Sequence, residues 1–316
     1  MKLSKELEGA ATVAISGHVR PDGDCVGACL GLYHYIRKCF PDIQVEVYLE
    51  EPSAKFGYLE GFADIRHEIT EPVEYDVFFA LDCGDRERLG FAASCFEKAR
   101  RTVCIDHHIS NTGDFADSNL IEADAAATCE TLYFLMEEGG IDMAAATALY
   151  TGLIHDTGVL KHSNTTERTL MAAAKLVGMG VEFTKIINDS FYAKSYVQNQ
   201  ILGRALLESV VFFDGKCIFS ALKQKDMVFY GVTPKDLDGI VEQLIVTEGV
   251  CCAIFLYETE AQKYKVSMRS KDGVDVSKVA AHFNGGGHVK AAGCTMMGSM
   301  HDVLNNLSAE LAKQME

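Results

Sequence analysis

Positive charge is scarce in this chain: 29 Lys and Arg stand against 45 Asp and Glu, a formal net charge of −16 over 316 residues. Such a balance argues against a long basic groove for duplex DNA. It leaves room for a small anionic ligand, because bound cations can reverse the local sign inside an acidic cleft. Long apolar runs are missing as well: none approaches the roughly 18 residues of a membrane span. The stretch Met1 to Glu8 is charged and lacks the apolar core of a signal peptide. Neither membrane attachment nor export is expected, and the expected location is the cytoplasm. The eleven cysteines contain no Cys-x-x-Cys pair, and many sit inside apolar runs (Cys39, Cys104, Cys217, Cys251, Cys252). That spacing speaks against structural zinc and for buried, reduced thiols. Tryptophan is absent altogether.

What is present points to two domains of a globular α/β protein. Apolar residues make up 48% and charged residues 23%, an ordinary balance for such a chain. Up to about residue 190, strand-like runs at Thr12–Ser16, Gln44–Leu49, Val77–Leu81 and Thr102–Ile105 alternate with helical patterns. This predicts a mostly parallel sheet of about five strands, covered on both faces. Helices are expected at Ala28–Lys38, Ala126–Glu138, Met143–Ile154, Thr166–Val177 and Glu182–Asn188. The domains are expected at 1–188 and 210–316, joined by a linker helix at 189–209. In the second, Val210–Phe213 and Lys216–Ala221 read as a hairpin around Asp214-Gly215. Val250–Tyr257 and Lys263–Arg269 read as a further strand pair, followed by a helix at Asp275–Phe283. A helix is also expected after Thr233-Pro234.

The chain is organised around Ser16 to Gly27, where His18, Asp22 and Asp24 crowd about Pro21 and Gly23 at a strand-to-helix turn. Pro21 fixes its own φ and Gly23 frees the backbone, so the turn can aim all three side chains at one point. Two carboxylates that close repel unless a cation lies between them. Asp82 in Leu81-Asp82-Cys83-Gly84-Asp85, His107 in Asp106-His107-His108, and Asp156 in His155-Asp156-Thr157-Gly158 add ligands from three further segments. Carboxylate and imidazole without thiolate suit Mn²⁺ or Mg²⁺, with Fe²⁺, Co²⁺ or Zn²⁺ as alternatives. Six candidate ligands exceed one ion's needs and suit two ions about 3.5–4 Å apart that share a carboxylate. Cys25 and Cys83 read as packing residues.

These segments, in this order, resemble the four motifs of the DHH phosphoesterases, and Gly285-Gly286-Gly287-His288 resembles the signature of the DHHA1 domain. The resemblance covers nearly the whole chain. It implies an N-terminal DHH metal domain, a smaller C-terminal α/β DHHA1 domain, and an active site in the cleft between them. It implies that His18, Asp22 and Asp82 hold one metal while Asp24, Asp82, His107 and Asp156 hold the other. Asp106 would orient a histidine, and His108 would face the phosphate or the leaving group. Arg269, Gly285, Gly286, Gly287 and His288 would bind a substrate phosphate. His155 stands where the family leads one to expect a small residue. Arg20 and Asn164 are further candidates for substrate contact, whereas no catalytic role is expected of His34, His67, His162 or His282.

Within the family, the two-domain length most resembles the stand-alone bacterial branch that degrades very short RNA and dephosphorylates 3′-phosphoadenosine 5′-phosphate. Short single-stranded RNA and small phosphorylated nucleotides are the expected partners. Without Trp, any base-stacking platform must use Phe, Tyr or His. The alternatives are hydrolysis of cyclic or linear dinucleotides, a manganese pyrophosphatase, and a catalytically silent nucleotide sensor. Whether the chain forms a homodimer stays open at this level.

Overall fold

The computed structural model describes residues 1–71, 73–271 and 273–315. The chain divides into two compact units, Met1–Ala193 and Lys194–Glu316.

The first unit is built on β1 (Thr12–Ser16), β2 (Gln44–Tyr48), β3 (Val77–Leu81), β4 (Thr102–Asp106) and β5 (Ser118–Ile121), in the order β2-β1-β3-β4-β5. Every neighbouring pair is parallel. All five residues of β3 are buried, as a strand covered on both faces demands. Val77, Phe79 and Leu81 face one core with Val13 and Ile15, while Phe78 and Ala80 face the other with Ala14 and Phe96. β5 escaped the sequence reading because it is polar and only half-buried. Its start is tied to β4 through Asp117, whose carboxylate accepts from Thr102 N and Oγ1, each at 2.8 Å.

Helix Gly23–Cys39 starts five residues before the expected Ala28. The reason is Asp22, which caps it by accepting from the backbone N–H of Asp24 and Cys25. This helix packs against helix Met143–Asp156 at backbone distance. A Cβ on Gly27 would stand 2.5 Å from Ala148 O, and one on Gly152 would stand 2.7 Å from Asp24 Oδ1. Glycine at 27 and 152 therefore lets these two helices meet. The expected helix at Glu182–Asn188 is a short α-turn, Phe183–Ile186, continuing as a π-turn over Ile187–Tyr192.

The second unit carries a six-stranded sheet of β6 (Val210–Phe212), β7 (Cys217–Leu222), β8 (Cys252–Glu260), β9 (Lys263–Ser270), β10 (Gly286–His288) and β11 (Ala291–Met297), ordered β10-β11-β9-β8-β7-β6. Only β7 and β8 pair in parallel, which needs a crossover. Helices Gln224–Tyr230 and Ile240–Ile245 lie in that connection. After Thr233-Pro234 the chain makes only a 3₁₀ turn, Pro234–Leu237. Helix Tyr196–Leu207, expected as a linker, buries Ile201 and Ala205 in this unit's core. On the sheet's other face, Val266 and Met268 pack with Val279, Val303 and Leu307 from helices Val276–His282 and Met300–Ala312.

Candidate metal centre

In an open parallel sheet, ligands gather beyond the carboxyl ends of the strands where the strand order reverses. Here that point lies between β1 and β3. The turn after β1 carries His18 and Asp22, the first turn of the following helix carries Asp24, Asp82 directly follows β3, and His107 follows β4. Asp156 ends helix Met143–Asp156. The structure brings all six together.

Asp82 lies between two imidazoles and turns one carboxylate oxygen toward each. His18 Nε2 lies 3.6 Å from Asp22 Oδ2 and 3.4 Å from Asp82 Oδ2. His107 Nε2 lies 3.5 Å from Asp82 Oδ1, 3.2 Å from Asp156 Oδ2 and 3.8 Å from Asp24 Oδ2. Donor atoms held about 2.1 Å from one cation stand roughly 3–3.4 Å apart, a spacing that the distances from His18 to Asp82 and from His107 to Asp156 approach. The histidines are oriented for such a cation. Nδ1 of His18 lies 2.8 Å from Val19 O, and Nδ1 of His107 lies 3.2 Å from Ala125 O. Each Nδ1–H donates to its carbonyl, leaving the Nε2 lone pair to face the carboxylates.

Burial disfavours a charged imidazole at His18, yet hydrogen bonds to Asp22 and Asp82 outweigh it and push its pKa up to about 11. At His107, Asp156 and Asp82 outweigh burial in the same way and push it up to about 12. Burial works to raise Asp82, but His107 and His18 hold it well below the usual carboxylate range. Asp24 is driven well up, first by burial and then by Asp82 and Asp156. Four carboxylates around two imidazoles are an excess of negative charge that divalent ions answer.

Supporting groups hold the carboxylates in place. Asp24, fully buried, accepts from Thr128 N at 2.6 Å and Cys129 N at 3.0 Å, at the start of helix Thr128–Leu135. The hydroxyl of Thr128 donates to Asp82 Oδ1 at 3.2 Å. Asp82 itself has a φ of 52°, a left-handed conformation that a non-glycine residue adopts at a cost of about 1–3 kcal/mol. Asp106 Oδ1 lies 2.7 Å from His108 Nδ1, and its Oδ2 accepts from Asn111 Nδ2 at 2.8 Å. The hydrogen bond to Asp106 outweighs burial and raises the His108 pKa. Thr128, Cys129 and Asn111 were missed by the sequence reading. Asn111 sits five residues after Asp106, but nothing in the pattern around residue 128 marks its bond to a residue 104 positions away.

Other candidates lie elsewhere or pack. Cys25 Sγ falls among the donor atoms of His18 and Asp82, but burial pushes its thiol well up, which keeps it protonated. Cys83 is buried, and burial raises its thiol pKa beyond the usual range. His155 faces Ser190, with Nε2 3.1 Å from its Oγ. The Asn164 amide donates to Ala126 O and Asp156 O. Arg20, at a φ of 57°, donates its backbone N–H to Glu50. Gly23 is helical and does not supply unusual backbone freedom; it makes room for the His155 ring.

In the second unit, Arg269, Ala291 and His288 are register partners on β9, β11 and β10. Directly opposed residues share a sheet face, so Arg269 and His288 stand on one face about 10 Å apart. The Arg269 guanidinium pairs with Glu242 at 2.7 Å. Gly286 and Gly287 belong to a strand and not to an open loop. A Cβ on Gly285 would stand 2.3 Å from Gly293 O, and one on Gly287 2.4 Å from Ala291 O, whereas Gly286 faces open space.

Comparison with known proteins agrees with both halves. Residues 12–153 match the DHH family N-terminal domain and residues 214–316 match the DHHA1 domain. The bifunctional oligoribonuclease and PAP phosphatase NrnA of Thermus thermophilus is 31% identical over 302 residues, covering 93% of this chain and 86% of that protein. Its namesake in Bacillus subtilis is 27% identical over 291 residues, covering 90% and 89%. The crystal structure of an exopolyphosphatase-related protein from Bacteroides fragilis superposes with a TM-score of 0.88 at 24% identity, over 99% of this chain and 95% of that one. The chain belongs to the DHH family of phosphoesterases, with its DHH domain followed by a DHHA1 domain.

Proposed function

We propose that this protein is a two-metal hydrolase of short RNA oligonucleotides, releasing mononucleotides from one end, and of 3′-phosphoadenosine 5′-phosphate. The observation that carries the two-metal part is the division of one carboxylate: Asp82 turns Oδ2 to His18 and Oδ1 to His107. The substrate part rests on the two relatives named for oligoribonuclease and PAP phosphatase activity over about nine-tenths of this chain.

His18, Asp22 and Asp82 hold one divalent ion; Asp24, Asp82, His107 and Asp156 hold the other. Mn²⁺ is the first choice for this oxygen- and nitrogen-rich set, ahead of Mg²⁺, Co²⁺ or Fe²⁺. When bound, the pair supplies Lewis acidity that makes water a nucleophile near neutral pH and neutralises phosphoryl charge. The catalytic group beyond the ligands is His108. Asp106 orients it and raises its pKa, which favours the protonated form that donates to the phosphate or to the departing oxygen. Arg269 grips a terminal phosphate bidentately once it leaves Glu242, and Gly285, Gly286, Gly287 and His288 bring backbone and a further donor to the same group. Eleven free thiols suit a reducing cytoplasm. Among the described residues no helix is long and apolar enough to cross a membrane.

The test is one Mn²⁺-supplemented assay offering 3′-phosphoadenosine 5′-phosphate, a 5′-labelled RNA dimer, a 5′-labelled 24-mer, cyclic di-AMP and pyrophosphate side by side. Turnover of the bisphosphate and the dimer, with little on the 24-mer, supports the proposal. Preference for cyclic dinucleotide or pyrophosphate refutes the substrate assignment and leaves the metal centre standing.

A further inference from the structure

His155 packs against the turn that carries Asp22 and Asp24, two of the candidate ligands. It precedes Asp156 in the chain. Its ring lies over the first turn of helix Gly23–Cys39, so close that a Cβ on Gly23 would stand 2.3 Å from His155 Cγ. That turn carries Asp22 and Asp24. Phe56 and Phe191 clasp the ring edge-on, with centroids at 5.1 and 5.4 Å. Nε2 lies 3.1 Å from Ser190 Oγ, and the Ser190 hydroxyl donates to Ile186 O at 2.7 Å. Ser190 therefore accepts from His155, which fixes the Nε2–H tautomer and the ring's rotation. Ser190 is buried and sits in the π-turn Ile187–Tyr192, a local irregularity that often marks functional sites.

We propose that His155 is a positioning residue: held by Ser190, its ring wedges the Asp22–Asp24 turn against Asp156 and so sets the separation of the two cations. A smaller side chain leaves a gap between the turn and the helix end, and carboxylates that repel one another open into it. A side chain that restores the volume and the N–H donor restores the spacing. The inference rests on the two-metal reading above.

The experiment titrates Mn²⁺ into the wild-type protein and into His155→Ala, His155→Gln and Ser190→Ala variants. It reads metal stoichiometry, the exchange-coupled electron paramagnetic resonance signal of an Mn²⁺ pair, and kcat and KM on an aryl phosphodiester. The wild type takes up two ions and shows the coupled signal. His155→Ala loses that signal, binds the second ion about 10–100-fold more weakly, and loses kcat by a similar factor with little change in KM. His155→Gln recovers most of both, and Ser190→Ala falls between. A coupled signal and kcat in His155→Ala within about twofold of wild type overturn the inference. Should His155→Ala fail to fold, an unaltered signal and kcat in Ser190→Ala overturn it equally. Uptake of a single ion by the wild type would sink the two-metal reading itself, a different failure.

Discussion

Asp82 Oδ2 lies 3.4 Å from His18 Nε2, while the other oxygen of the same carboxylate reaches within 3.5 Å of His107. One side chain thus faces both imidazoles. It directly follows β3, beside the point where the sheet order reverses, in a strained left-handed conformation. Strain of this kind persists only where surrounding structure over-determines it. Here the hydroxyl of Thr128 and the two imidazoles do so.

Thr128→Val removes the hydroxyl that donates to Asp82 Oδ1 and keeps the backbone N–H that holds Asp24. Metal affinity or kcat is expected to fall about 10–100-fold, the usual cost of losing a group that orients a metal ligand. Thermal stability should change little. Mn²⁺ titration with a melting curve on the same sample checks both.

Asp106 raises the His108 pKa through their hydrogen bond. A reaction that needs protonated His108 loses activity as pH rises through that pKa. Asp106→Asn removes the anion, the pKa falls back toward 6.5, and the alkaline limb of kcat/KM against pH moves to lower pH. An unmoved limb, measured on an RNA dimer, would show that His108 is not the proton donor.

Arg269 and Glu242 should act in opposite directions. Arg269→Ala raises KM for phosphate-bearing dimers about tenfold or more and spares kcat on a simple aryl phosphodiester. Glu242→Gln releases the guanidinium from its 2.7 Å ion pair and lowers the same KM. Equal losses on both substrates in Arg269→Ala would assign the arginine to the fold alone.

Much of this was legible in the sequence because the ligands sit at strand ends, and apolar runs mark strands well. β1 and β3 fall on the expected residues, and the six candidate Asp and His residues, spread over four segments, come together in the fold. What the sequence hid is of two kinds. Polar or half-buried elements leave a weak pattern, as with β5 and helix Gln224–Tyr230 with its exposed Val228 and Phe229. Long-range bonds leave none. The Thr128 amide on Asp24 and the Glu242 clamp on Arg269 both join positions far apart in the chain. Gly23 was read as a backbone hinge because its neighbour across the helix interface, His155, is 132 positions away.

The most direct test of the account counts metal ions per chain while assaying turnover, in wild type and in Asp82→Ala. The account predicts two Mn²⁺ per wild-type chain. In the variant it predicts at most one, with activity on RNA dimers down by at least about 10³-fold. Near wild-type turnover by Asp82→Ala, or full wild-type activity with one ion per chain, would contradict it.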